Sequence, residues 1–111
     1  MAGSEAFARI KRDVIDLTCQ IPRGKIVTYS TIAGQLDVMP RHVAYILAML
    51  DDQERSEIPW HRVVADGGVI RSTAKRDPAL QRQLLMEEGI AFTRQGKVAD
   101  FEAMQHKYEM E

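Results

Sequence analysis

Cysteine, long apolar runs and net charge are all in short supply in this chain, and each shortage removes a class of protein. Cys19 is the only cysteine among 111 residues. A lone thiol makes no internal disulfide and no Cys-rich metal site, and it fits a reducing, cytoplasmic compartment. No apolar stretch approaches the roughly 18 residues that a membrane span requires. Met1-Ala2-Gly3-Ser4-Glu5 has no basic-then-apolar leader pattern, so no membrane partner is expected. His42, His61 and His106 show no ligand-type spacing, and the chain is expected to need neither a metal nor another cofactor. A formal net charge of −1 argues against coating nucleic acid through bulk charge.

What remains is 45% apolar and 28% charged, the balance of an ordinary globular domain. At this length a single domain over residues 1–111 with one modest core is expected. The charge is uneven along it. Counting Lys and Arg against Asp and Glu gives +2 over residues 1–30, −3 over 31–57, +3 over 58–86 and −3 thereafter. Arg62, Arg71, Lys75, Arg76 and Arg82 make up the second positive block, which reads either as an anion-facing patch or as ordinary solvated charge.

The pattern predicts mostly helix with short β elements. Ser4 is a candidate cap for a first helix to about Thr18, with Phe7, Ile10, Val14 and Leu17 on one face. Ile26–Tyr29 is β-prone, Ser30 is a candidate cap for a short second helix through Leu36, and Pro40 suits the first position of a third helix to about Leu50. At 100° per residue that third helix divides into an inner face of Val43, Ile46, Leu47 and Leu50 and an outer face of Arg41, Ala44, Tyr45 and Ala48. A short helix, a tight turn and a longer helix with small outward residues is a helix-turn-helix pattern. Residues 51–57 read as a polar loop. Asp66-Gly67-Gly68 between Val63-Val64 and Val69-Ile70 reads as a hairpin, so the whole is winged-helix-like. Asp77 and Pro78 open a further helix that Gly89 stops. A short hairpin around Gly96 and a fraying tail are expected after it.

Four motifs stand in order over about Ile21 to Gly89: Ile21-Pro22-Arg23-Gly24-Lys25-Ile26-Val27-Thr28-Tyr29, Arg41-x-Val43, Pro59-Trp60-His61-Arg62-Val63 and Glu88-Gly89. Together they resemble the O6-alkylguanine-DNA alkyltransferases. Ile21-Pro22-Arg23-Gly24-Lys25-Ile26-Val27-Thr28-Tyr29 is similar to the segment entering that family's helix-turn-helix. Arg41-x-Val43 resembles the start of its recognition helix, Pro59-Trp60-His61-Arg62-Val63 its active site, and Glu88-Gly89 the close of its last conserved helix. The resemblance implies the fold of the family's C-terminal domain. Trp60 stands where those enzymes keep a nucleophilic Cys, so the chain resembles the alkyltransferase-like, non-enzymatic branch.

The consequences for chemistry are direct. Alkyl transfer needs a thiolate, whereas an indole N–H is a donor with no lone pair to attack with. No catalytic residue is therefore expected, and His61 and Glu88, which match the pair that activates the enzymes' thiol, have nothing left to activate. For binding, the resemblance implies that Arg41 fills the place of a flipped nucleotide and that Tyr29 helps rotate its phosphate. Ala44, Tyr45 and Ala48 would lie along the DNA. Tyr29, Met49, Trp60, Val63 and Arg76 are the implied lesion-pocket residues. On spacing alone Tyr29, Met49, Trp60 and Val63 read equally as core, and Arg41 as a solvated cation. Two departures stand out: Asp52 replaces the enzymes' hinge Asn, and residues 71–76 lack their Ser/Gly loop pattern.

The expected function is a sensor that binds duplex DNA containing O6-alkylguanine through the minor groove. It would flip the base, act as a monomer and hand the site to nucleotide excision repair proteins. Two other classes remain open on the residues alone. An enzyme would use Cys19, or His61 with Glu88; a winged-helix regulator would read undamaged sequence. Ala44 and Ala48 offer little base-reading chemistry for the regulator.

Overall fold

The structure, a computed structural model, describes residues 2–71 and 77–109. Among these the order is α1 (Ala2–Cys19), β1 (Val27–Thr28), α2 (Tyr29–Leu36), α3 (Pro40–Ala48), α4 (Asp52–Glu57), a 3-10 turn (Trp60–Arg62), β2 (Val63–Val64), a second 3-10 turn (Asp66–Gly68), α5 (Pro78–Glu87) and α6 (Phe101–Met104). The mostly helical class with short β elements is the one expected.

The two strands pair in parallel, Val27 with Val63 and Thr28 with Val64. Because side chains alternate along a strand, the pair divides the interior. Val27 and Val63 enter a larger core with Val14, Ile32, Val43, Ile46 and Leu47. Ile26 and Val64 enter a smaller one with Leu85, Ile90 and Val98. Fully burying each of these aliphatic side chains contributes about 1.5–3 kcal/mol, so the short sheet ties both cores to one register. A one-residue slip of either strand would turn that strand's own side chains to the wrong core.

Local chemistry sets the helix boundaries, and several differ from expectation. α1 starts at Ala2 rather than at a cap on Ser4. Its inner residues are Val14 and Thr18, while Phe7 is exposed. The buried Thr18 hydroxyl donates to the Val14 carbonyl at 2.7 Å, which removes the cost of an unpaired polar group. α2 is capped by Thr28, not Ser30. The Thr28 hydroxyl accepts from the Thr31 N–H at 3.0 Å, and the helix begins at Tyr29. α3 opens on Pro40 as expected and ends at Ala48, yet Leu50 beyond it is still buried.

Residues 51–57 are a helix rather than a loop. Asp51 accepts from the Glu54 N–H at 2.8 Å while Glu54 accepts from the Asp51 N–H at 3.0 Å. This reciprocal capping box nucleates α4 in a segment with no apolar stripe. Lys11 then pins it to α1 through a 3.3 Å ion pair with Glu54. The expected wing hairpin is short: one antiparallel bridge joins Ala65 and Val69 across the Asp66–Gly68 turn. α5 is capped as expected, Asp77 accepting from the Leu80 N–H at 3.0 Å. A bridge between Phe92 and Val98 supplies the hairpin around Gly96.

Residues 105–108 of the tail are docked rather than frayed. Gln105 bridges Ile26 alongside β1, the His106 N–H donates to the Ile26 carbonyl at 2.8 Å, and the Tyr108 hydroxyl donates to the Leu17 carbonyl at 2.7 Å. Composition predicted a polar end; the free edge of β1 decided where it binds.

Gly67 and Gly68 both have positive φ, 77° and 85°, but only Gly68 is crowded. A Cβ at Gly68 would lie 2.9 Å from Val98 Cβ, whereas at Gly67 nothing lies within 4 Å. Gly67→Ala is expected to cost about 1 kcal/mol from backbone strain alone, and Gly68→Ala about 3 kcal/mol as overpacking adds to it. Urea unfolding of both variants measures the difference.

Candidate nucleic-acid interface

The interface is built on α3. Val43, Ile46 and Leu47 anchor it in the larger core, so the opposite face is turned outward by helix geometry alone. Arg41 and Tyr45 are exposed there, Tyr45 by 56%, with Ala44 and Ala48 half-buried between them. Two alanines leave a shallow strip along which a helix backbone can lie close to a nucleic-acid groove.

Beside this strip is a cavity of about 290 Å³ lined by Tyr29, Pro40, Arg41, Ala44, Asp66 and Arg71 among others. Three residues expected to act on one nucleotide, Tyr29, Arg41 and Ala44, are thus brought together. Arg71, which follows the short wing, joins Arg41 in this lining, so that two cations and the one carboxylate of Asp66 border the cavity. Arg76 lies outside the described residues.

The other expected pocket residues lie elsewhere. Met49 follows the last turn of α3 and is 46% exposed. Val63 is wholly buried in the larger core, so its side chain forms no wall of that cavity. Trp60 is 6% exposed. Its accessible edge lines a separate groove with Cys19, Arg55, Pro59, His61 and Leu84. The Arg55 guanidinium lies over the indole, 4.9 Å from the ring centroid, and the His61 ring meets it edge-on with centroids 6.0 Å apart.

The turn carrying Trp60 is fastened from below by one carboxylate. Glu88, the C-cap of α5, has a side chain only 5% exposed. It accepts from His61 Nε2 at 2.6 Å, from Arg62 Nη2 at 2.9 Å and from the Gly24 N–H at 3.0 Å. Arg62 Nη1 also donates to the Ile21 carbonyl at 2.7 Å. Burial by itself would raise the Glu88 carboxyl, but the hydrogen bonds from Arg62, the Gly24 N–H and His61, with the charge of His61, overcome it and hold the group at about 2. Glu88 is therefore an acceptor at neutral pH, which makes His61 Nε2 the donor of their bond.

The expected His61–Glu88 pair is present, while two of its supports were missed. Arg62 was read only as part of a motif and a positive block. Gln81 was not singled out, yet it is buried and its amide donates to the carbonyls of His61 at 3.1 Å and Val63 at 2.9 Å. The signal for it existed. Gln81, Leu84, Leu85 and Glu88 recur at helical spacing, so two polar residues share the apolar stripe of α5 and require partners.

Comparison with known proteins is consistent across sequence and fold. Residues 9–90 match the family described as 6-O-methylguanine DNA methyltransferase, DNA binding domain. A DNA base-flipping protein of Vibrio parahaemolyticus is 42% identical over 82 residues, spanning 72% of this chain and 79% of its own. Alkyltransferase-like protein 1 of Schizosaccharomyces pombe is 37% identical over 82 residues, spanning 69% and 72% respectively. The crystal structure of S. pombe Atl1 in complex with damaged DNA containing O6-carboxymethylguanine superposes with a TM-score of 0.75 at 28% identity, covering 91% of this chain and 97% of that one.

The Glu88 carboxyl sits below its ordinary value of 4.5 in the folded state. Its stabilisation is therefore complete above that value and disappears as pH falls from there to about 2. Between about pH 5.5 and pH 2 the wild-type protein is expected to lose about 3 kcal/mol that Glu88→Gln does not lose. At pH 7 the variant is expected to be less stable by a similar amount, because Arg62 keeps its charge and loses its partner. Urea midpoints measured across this range check both outcomes.

Proposed function

The chain belongs to the family of the 6-O-methylguanine DNA methyltransferase DNA-binding domain, in its alkyltransferase-like branch, and on that footing we propose that it senses O6-alkylguanine in duplex DNA without removing the alkyl group. The observation that carries this reading is the turn at Trp60. An indole occupies the position where the enzymes hold their thiol, while His61, Arg62, Gln81 and Glu88 still lock the turn in place. The frame that presents residue 60 is retained, and the nucleophile is not there.

In this reading α3 lies along the minor groove with Arg41, Ala44, Tyr45 and Ala48 towards the DNA. Arg41 fills the space a flipped guanine leaves, and Tyr29, beside it on the same cavity, steadies the rotated backbone. The alkyl group packs against Trp60, with Met49 and Arg76 completing the pocket and Val63 supporting it from the core. Magnitudes decide what discrimination rests on. Burying one methyl contributes about 0.8 kcal/mol, roughly fourfold in affinity. Extrusion costs a few kcal/mol and less for a poorly paired base. Weak pairing of the lesion therefore favours recognition as much as the pocket does. A protein that holds the base and does not repair it needs a receiver, and nucleotide excision repair proteins are the proposed partners.

Cys19 is a poor substitute nucleophile. Its thiol is pushed up by burial and then by the nearby Asp16 charge, so the thiolate that alkyl transfer requires is disfavoured.

Titrating matched duplexes with guanine or O6-methylguanine tests the proposal, followed by mass measurement of the protein. Tighter binding of the lesion with no mass gain is expected; equal affinities would end the sensor reading, and a methylated Cys19 would replace it with an enzyme. Arg41→Ala is expected to weaken lesion binding about tenfold as the flipped state loses its plug. Trp60→Phe, which keeps most of the core packing, is expected to bind undamaged duplex normally and to lose part of the lesion preference.

A further inference from the structure

Between the short wing and α5 opens a cleft of about 490 Å³, lined by Ile70, Arg82, Gly96, Lys97 and the first two residues of α5, Pro78 and Ala79, among others. Among the described residues no carboxylate lines it, and neither Arg82 nor Lys97 has an ion-pair partner. Asp77, just before Pro78, uses its carboxylate to cap α5 by accepting from the Leu80 N–H. The N-terminal end of that ten-residue helix adds partial positive charge.

Arg82 is held in place. Its guanidinium lies over the Phe92 ring, 5.4 Å from the centroid, and Phe92 itself packs on the smaller core. The guanidinium also sits so close to Gly96 that a Cβ there would lie 3.0 Å from Nη2. A side chain fixed in this way has already lost much of the rotamer freedom that gripping an anion would cost. The wing is the wall between this cleft and the cavity beside α3. Ala65 lines that cavity and its bridge partner Val69 lines the cleft; Arg71 and Ile70, consecutive in the chain, divide the same way. Duplex DNA carries about one negative charge per 1.7 Å of axis, so a strand that lies on α3 and crosses the wing presents phosphates on both sides of so thin a wall.

We propose that the cleft is a second phosphate-binding site, which takes the backbone of the duplex that α3 binds. The inference rests on α3 binding duplex DNA and not on recognition of a lesion. Arg82 offers forked N–H donors to the phosphate oxygens and Lys97 a point charge. A contact of this kind adds affinity without reading the base.

The test measures dissociation constants of the full chain against salt concentration, on matched duplexes with guanine or O6-methylguanine. Lys97→Gln removes a charge and breaks no ion pair among the described residues. It is expected to weaken both duplexes about fivefold at ~0.1 M salt and to lower the salt slope by about one, the loss of one phosphate contact. Arg82→Gln is expected to do the same, and Arg82→Lys to recover most of the slope. Lys107→Gln, exposed on the tail and outside the cleft, controls for bulk charge and is expected to change the slope little. The lesion preference is expected to stay at the wild-type value in every variant. A Lys97→Gln slope no further from wild type than that of Lys107→Gln would overturn the inference. An effect of Arg82→Gln alone would overturn it too, by making the Phe92 contact merely structural, as would a loss confined to the lesion duplex. Titration with inorganic phosphate, followed at the Gly96 and Lys97 amides, separates the sources of the phosphate. Shifts there with unchanged duplex slopes would assign the cleft to a small phosphate ligand and overturn the duplex claim. If wild-type protein binds both duplexes equally, the sensor reading falls while this one stands.

Discussion

One buried carboxylate sets the geometry on which the site depends. Glu88 ends α5, and through its two oxygens it reaches the loop before β1 at Gly24 and the turn after α4 at His61 and Arg62. Three segments far apart in sequence are thereby fixed to one point. A lone carboxylate at this depth would be expelled or protonated; with three donors converging it stays ionised, and the arrangement is costly to break from any side. Arg62 extends the grip to the Ile21 carbonyl and Gln81 takes the carbonyls that the turn leaves over.

The consequence is that the turn carrying position 60 is fastened through its neighbours His61 and Arg62, not through the side chain of residue 60. In the alkyltransferases a network of this kind serves a thiol. Here it serves an indole that is nearly enclosed by the larger core, His61 and Arg55. The recognition helix is independent of it, anchored by its own apolar face. In the proposed reading, binding to DNA and inspection of the base belong to different parts of the fold, joined through the parallel pairing of β1 and β2. Tyr29 follows directly on one strand and Trp60 stands just before the other, so their separation is set by strand register.

Much of the fold was legible where a single local rule governs. Pro40 and Asp77 with Pro78 marked helix starts, Gly89 marked a stop, and period 3.6 divided α3 into the two faces that it has. The misses have equally local causes. Thr28 took the cap from Ser30 because its hydroxyl stands where the Thr31 N–H can reach it. α4 lacks an apolar stripe, so periodicity was blind to it, although Asp51-x-x-Glu54 is a readable capping box. Phe7 fitted a helical stripe and is still half exposed, lining a shallow apolar cavity with Ile10, Tyr45 and Ile46 rather than entering the core.

The sequence by itself determined the family, the loss of the thiol, and the inner and outer faces of α3, since motif and helical spacing are properties of neighbours along the chain; the pairing of His61 with Glu88 it offered only through the resemblance. Only the tertiary structure decided that Trp60 is buried beneath Arg55, that Val63 belongs to the core, that Arg71 joins Tyr29 and Arg41 around one cavity, and that the tail closes on Ile26. Those outcomes depend on contacts between residues far apart in the chain. No local pattern encodes them, because burial and pairing are set by which surfaces remain to be covered once the helices have docked.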